Sequence, residues 1–221
     1  MTLYRQVTAP GMLAEYEAFA ELIEGLSDEQ WATPSRCAGW RVADVAGHVV
    51  GQLTDVVQLR LDGLGTPEAT DREVAERRGR GAGELMGELR GAIKAAAEMA
   101  AAFDDDAWER PIDANVPGTL GAGVEALWFD TFVHADDIRD ALGMPSVESD
   151  GLLAAASHIA DALTEHGWGP AELRLGKIGT FGVSGGGGKL VEADPFEFVM
   201  AASGRSDPSK LGLDETVNIY R

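Results

Sequence analysis

Apolar residues recur at three- and four-residue spacing through most of the first 166 positions, a period that predicts helices. Leu13, Tyr16, Ala20 and Ile23 line one face over residues 11–26. Ser27, followed three positions later by Gln30, has the form of a capping box opening a short turn that Thr33-Pro34 ends. Val42, Val45, Val49, Leu53, Val56 and Leu59 make a continuous stripe over residues 41–61, closed by Gly63 and Gly65. A third helix is expected over 84–103. A fourth, capped by Thr119, buries Leu120, Val124, Leu127, Phe132 and Ile138 and stops at Gly143 with Pro145 behind it. A fifth runs from Ser149 through His166. Two stretches lack this period. Residues 65–83, rich in Gly, Arg, Glu and Thr, read as an exposed, flexible connection. Residues 104–118, with an acidic run, Pro111 and Pro117, read as an irregular crossing segment.

After Gly167 the pattern changes. Residues 172–178 alternate as strands do, and the glycines at 185–188 supply a turn, so a hairpin is expected. Those glycines read as a turn rather than as a phosphate cradle. Asp194-Pro195 opens a helix containing Phe196, Phe198, Val199 and Met200 and ending at Gly204, and residues 217–220 have the pattern of a last strand. The expected fold is mainly α, a helical bundle over residues 1–167 with a small mixed α/β segment over 168–221. No internal repeat is present.

Composition narrows the function classes. With 37 acidic against 18 basic side chains the formal net charge is -19, a field that repels nucleic acid and anionic membranes. Hydrophobic residues at 45% and charged residues at 25% are those of an ordinary globular chain with a packed core. The one cysteine, Cys37, permits no intramolecular disulfide and no CxxC motif, which fits a reducing compartment. Neither a signal-like N-terminus nor an 18-residue uncharged apolar run occurs, so a cytoplasmic protein is expected. Lysine is scarce, and the abundance of Ala, Gly, Asp and Glu hints at a GC-rich bacterial genome.

Asp130 and His134 stand four apart on a predicted helix, so both emerge on one face and can converge on one ion. His48, in the middle of the second helix's apolar stripe, is the candidate third ligand, since an imidazole there needs partners for its nitrogens. Two histidines and a carboxylate leave coordination positions open, as catalytic zinc and some iron sites do. The spacing alone also accommodates a surface hydrogen-bonded pair, and His48 alone a core histidine satisfied by a backbone carbonyl.

Two longer strings carry a resemblance. Trp31-Ala-Thr-Pro-Ser-Arg-Cys-Ala-Gly-Trp40-Arg-Val-Ala-Asp44-Val-Ala-Gly-His48-Val resembles the N-terminal signature of the DinB-like, mycothiol-dependent maleylpyruvate isomerase family. Glu125-Ala-Leu-Trp-Phe-Asp130-Thr-Phe-Val-His134-Ala-Asp-Asp137 resembles its second signature, an acid, a His four later and an Asp three beyond. The similarity spans most of residues 8–166. It implies a DinB-like four-helix bundle holding a divalent ion, zinc first and nickel or iron next, on His48, Asp130 and His134. The family often has Glu where this chain has Asp130, one methylene shorter, so the carboxylate must sit closer or bind differently.

The resemblance further implies mycothiol as cosubstrate and an actinobacterial source. The expected activity is that of a metal-dependent thiol transferase or isomerase acting on a small electrophile, as a monomer or homodimer. A metal-dependent hydrolase and a non-catalytic small-ligand-binding protein on the same fold are the alternatives. Arg205, in Ala202-Ser-Gly-Arg205, resembles the family's Gly-Arg motif and would bind a substrate carboxylate, with plain surface solvation as the other reading. Asp137 would orient the His134 ring or hold a helix end. Cys37 reads as a packed bystander, Trp31, Trp40 and Trp128 as core or pocket wall, and His158 and His166 receive no role.

Overall fold

The computed structural model describes residues 3–112 and 118–220. In chain order the helices are α1 Arg5–Glu24, α2 Asp28–Trp31, α3 Val42–Val57, α4 Pro67–Arg77, α5 Ala82–Ala102, α6 Asp105–Trp108, α7 Leu120–Ala141, α8 Gly151–Glu165 and α9 Pro195–Ala202. The strands are β1 Ala171–Leu175, β2 Gly179–Val183 and β3 Lys189–Ala193. The chain divides into two compact units, one over Tyr4–Val147 and one formed by Leu3 with residues 148–220. By its contacts α8 groups with the C-terminal unit, which begins 20 residues earlier than the boundary expected after residue 167.

In the first unit α1 touches α7, α7 touches α3, α3 touches α5 and α5 returns to α1, a closed four-helix bundle. Tyr16, Phe19, Ile23, Val45, Val49, Leu53, Leu85, Leu89, Phe132 and Ile138 fill its core. The expected caps form. Ser27 and Gln30 complete their reciprocal box, and the Thr119 hydroxyl accepts from the Ala122 amide.

Three elements depart from expectation. Helix α1 starts at Arg5 rather than at residue 11, with Pro10 inside it. Proline cannot donate to the carbonyl one turn back, but Thr8, Ala9 and Met12 are buried on either side of it, so packing carries the helix through. In the second irregular stretch Asp104 caps the short α6, while residues 113–117, including Pro117, lie outside the described residues.

The largest departure is α4, which lies within the segment expected to be a flexible loop. Thr66 caps it through the Ala69 amide and Pro67 occupies its first position, a start signal present in the sequence. Its buried stripe is Ala69, Glu73, Val74 and Arg77, so half of the inward face is charged and no apolar period results. The helix seats directly on α3. A Cβ at Gly51 would fall 2.6 Å from the Glu73 Cβ, so only glycine admits α4 at that distance.

The C-terminal unit is a three-stranded sheet in the order β2-β1-β3, with α8 packed on β2 and α9 packed on α8. β1 pairs antiparallel with β2 and parallel with β3. A hairpin exists, but the single 3-10 turn Gly176–Ile178 closes it. The glycines at 185–188 instead carry the chain past the end of β1, through four successive positive φ angles that only glycine adopts easily. The expected last strand is a 3-10 turn, Glu215–Val217, followed by one extended residue, Asn218, and a turn at 219–220. Val217 and Ile219 are buried and the Ile219 amide bonds the Ala202 carbonyl, so the alternation is genuine, while among the described residues no strand pairs with it. Among the described residues no helix is long and apolar enough to cross a membrane.

Candidate metal centre

The bundle brings His48, Asp130 and His134 together, with one ligand atom from each lying within 4.8 Å of the other two. His48 projects from the middle of α3, and Asp130 and His134 lie one turn apart on α7, which packs against α3. His48 Nε2 is 3.1 Å from Asp130 Oδ2, and His134 Nε2 is 3.5 Å from Asp130 Oδ1. Donors held tetrahedrally at about 2.0–2.1 Å from zinc stand roughly 3.4 Å apart, so this spacing suits an ion between them. Asp130, one methylene shorter than glutamate, reaches both rings because α3 and α7 pack directly.

The far nitrogens of both rings are occupied. His48 Nδ1 donates to Glu73 Oε2 at 2.7 Å and His134 Nδ1 donates to Asp137 Oδ2 at 2.8 Å. A carboxylate offers only lone pairs, so these bonds keep a proton on Nδ1 and leave each Nε2, which faces Asp130, as the atom that would ligate an ion once any proton it carries is lost. The two imidazoles meet edge to face with centroids 5.0 Å apart. The donor set, its spacing and its tautomers therefore fit a divalent cation.

The loop between α2 and α3 forms one wall of the site. It is cinched at its base by Ser35, whose amide and hydroxyl both donate to the Trp40 carbonyl, and by the Val42 amide on the Thr33 carbonyl. Trp40 consequently stands over both histidines, its ring centroid 5.4 Å from His48 and 6.1 Å from His134. Trp31 instead donates its indole N–H to the Arg80 carbonyl, and Trp128 is buried in the core with its N–H on Glu15.

Arg36 and Cys37, far from α7 in sequence, also arrive here. Arg36 pairs with Asp137 at 2.5 Å and Asp136 at 2.7 Å, and the Cys37 thiol donates to Asp137 Oδ2 at 3.2 Å. Cys37 Sγ is 3.9 Å from His134 Nδ1, so Cys37, His134 and Asp137 form a second cluster of potential ligands. Asp137, however, already accepts from Arg36, His134 and Cys37 and has no oxygen left uncommitted, so it serves as the partner that orients His134. Glu73, Arg36 and the proximity of Cys37 are absent from the sequence reading. Arg205 lies in the C-terminal unit just beyond α9, where it donates to the Ser203 carbonyl at 3.2 Å.

Charge follows the same geometry. Burial pulls the His48 imidazolium down, but the charge and hydrogen bond of Asp130 and those of Glu73 outweigh it and hold the pKa up at about 10. Burial, reinforced by the charges of Asp130 and Glu73, pushes the nearby Tyr16 hydroxyl up, and the phenol stays neutral. Because the folded His48 pKa lies above the usual 6.5, its ion-pair stability in the ion-free chain is complete below pH 6.5 and fades as pH rises through about 10. A cation must displace that proton. At pH 8, loading zinc is expected to release close to one proton per ion, read by calorimetry in two buffers of different ionisation enthalpy; a buffer-independent heat would contradict it.

The comparisons agree with this architecture. Residues 12–139, more than half the chain, match the family described as the mycothiol maleylpyruvate isomerase N-terminal domain. Two solved structures are similar in fold, the mycothiol-dependent maleylpyruvate isomerase and a histidine-to-alanine variant of it, with TM-scores of 0.62 and 0.63. Each is 16% identical, with 92% of this chain and 90% of that chain covered. No curated protein matches. On the breadth of the family match and the DinB-like bundle it accompanies, the chain belongs to the mycothiol-dependent maleylpyruvate isomerase family.

Proposed function

We propose that this protein is a metal-dependent enzyme that uses mycothiol as cosubstrate to isomerise, or transfer the thiol to, a small electrophile. One observation supports it above the others. In a member of this family, two imidazole Nε2 atoms and a carboxylate face one point, while two further carboxylates hold both rings by their Nδ1 atoms. His48, Asp130 and His134 are the residues that would hold the ion, with zinc the first choice and nickel or iron the next. A divalent cation bound there supplies Lewis acidity, which lowers the pKa of a thiol so that its sulfur is nucleophilic at neutral pH.

The protein's own groups do the rest. Trp40 shields the histidines from bulk water, and Asp137 and Glu73 keep their rings oriented. Arg205 is assigned to a carboxylate on the substrate, for which a guanidinium is suited through two parallel hydrogen bonds. Arg205→Lys, which keeps the charge but not the fork, is the variant that tests this assignment, through a rise in KM. A reducing cytoplasm is the proposed setting, suited to a free thiol cosubstrate.

Mycothiol added to zinc-loaded protein provides the test. Mass action makes the stabilisation about 2.7 kcal/mol at a hundredfold excess over the dissociation constant, read as a rise in Tm. A shift that requires the metal supports thiol chemistry. The same protein with bound metal, no thiol-induced shift and turnover of an ester or amide would instead be a hydrolase. Protein that takes up no divalent metal would overturn the reading altogether.

A further inference from the structure

We infer that Glu73 is a positioning residue of the metal centre, and that α4 fixes the ligating geometry of His48 through it. The inference rests on the metal-dependent reading above and concerns a residue outside the ligand set.

Glu73 and Asp137 occupy equivalent places behind the two histidines, but their surroundings differ. Asp137 is saturated, its oxygens shared among the Arg36 guanidinium, the Cys37 thiol and His134. Glu73 is fully buried and makes one side-chain hydrogen bond, to His48 Nδ1, while its other oxygen, Oε1, is buried with no hydrogen-bond partner. A buried carboxylate oxygen left unpaired is costly, so its charge is compensated electrostatically by what lies beyond the bond, His48 and any cation the ring holds. A carboxylate not shared with other donors polarises its imidazole more strongly, and a more basic Nε2 is a better metal ligand.

The attachment of α4 serves this placement. Arg77, one turn beyond Glu73, donates to the Glu73 carbonyl at 3.0 Å and forks onto Glu88 of α5 at 3.0 and 2.5 Å. Gly51, one turn from His48 on α3, removes the side chain that would hold α4 away. The Glu73 carboxylate is thus fixed from behind by α5 and from the side by α3, and has one group to face.

The test compares full-length wild type with Glu73→Gln, Glu73→Asp and Asp137→Asn, using Zn2+ and Co2+ as the probes. Dissociation constants come from chelator competition, and Co2+ absorption reports ligand geometry. Glu73→Gln keeps a hydrogen-bond acceptor but loses the charge, and should weaken Zn2+ binding by about 10- to 100-fold and change the Co2+ spectrum. Asp137→Asn should weaken it less, because Arg36 and Cys37 still tie that side chain. Glu73→Asp, whose carboxylate stops one methylene short, should weaken binding in the same direction and carries the test if the glutamine variant does not fold.

A merely structural role would lower the melting temperature of the ion-free protein without altering the affinity or the spectrum of the folded fraction. Wild-type binding with Glu73→Gln and Glu73→Asp both within twofold of it and spectrally unchanged would overturn this inference while leaving the proposed function intact. Wild type that binds neither ion would overturn both.

Discussion

Replacing His48 with alanine is expected to strip stoichiometric divalent metal from the purified protein and to abolish its thiol-dependent turnover. Two effects act together. The first is the loss of one of three donors, leaving His134 and Asp130, 3.5 Å apart, as the whole set. Removing an outer partner of a ligand already costs about 10- to 100-fold in affinity, and removing the ligand itself costs more. The second falls on Glu73, whose carboxylate loses its one hydrogen bond and is left charged and unpaired in the interior. Leaving a buried charge without its partner destabilises a fold by about 3–5 kcal/mol. His48→Gln separates the two effects, because its amide can still donate to Glu73 while it lacks the imidazole. Elemental analysis and thermal melting on both variants should show metal lost from each and stability lost mainly from the alanine form. Full metal content in His48→Ala would remove the site and the catalytic proposal together.

How much of this was legible in the sequence depends on whether a segment's inward face is apolar. α3 and α7 were legible because Val45, Val49 and Leu53, and Leu127, Phe132 and Ile138, repeat at helical spacing, and the same spacing places His48, Asp130 and His134 on facing surfaces. α4 was not, because it buries Glu73 and Arg77 where a period search looks for Leu or Val, and those charges are satisfied by residues 25 and 11 positions away. Thr66-Pro67 was the available signal, and it marks a start without saying what the helix buries. Arg36 and Cys37 were illegible for another reason. They reach Asp137 across about 100 residues, through a loop whose own hydrogen bonds, Ser35 to Trp40 above all, set its direction. In the C-terminal unit the alternation at 217–220 reports burial on one side only, and a strand also needs an edge to pair with.

The same buried charges that hid α4 make it the most vulnerable element of the bundle, and Glu88→Ala is expected to show this. Arg77 is fully buried between α4 and α5, with Glu88 as its close carboxylate; Glu76 is 3.8 Å away and largely solvated. Glu88 accepts from Arg77, from Arg80 at 2.5 Å and from Thr54 at 2.8 Å, and so joins α3, α4 and α5. Without it the guanidinium stays buried with the Glu73 carbonyl as a hydrogen-bond partner and Glu76 at 3.8 Å, and the loss should be about 3 kcal/mol in denaturant unfolding, the lower end for a broken buried pair because Glu88 itself keeps some access to water. Removing both charges, as Arg77→Met with Glu88→Leu, should recover part of that loss, since an apolar pair leaves no stranded charge; additive losses would argue that the two side chains are not coupled. Acid gives an independent reading. Burial raises the Glu88 pKa, but Arg77, Thr54 and Arg80 outweigh it and hold the group below its usual 4.5. Its stability is therefore complete above pH 4.5 and is lost as pH falls through the depressed folded value, so the difference in unfolding free energy between wild type and Glu88→Gln should shrink as pH falls below 4.5. A difference that stays constant through that range would place the anchoring of α4 elsewhere. At a fixed pH near 7, Glu88→Gln should also bind zinc more weakly than wild type, because Glu73 rides on the helix that Glu88 holds.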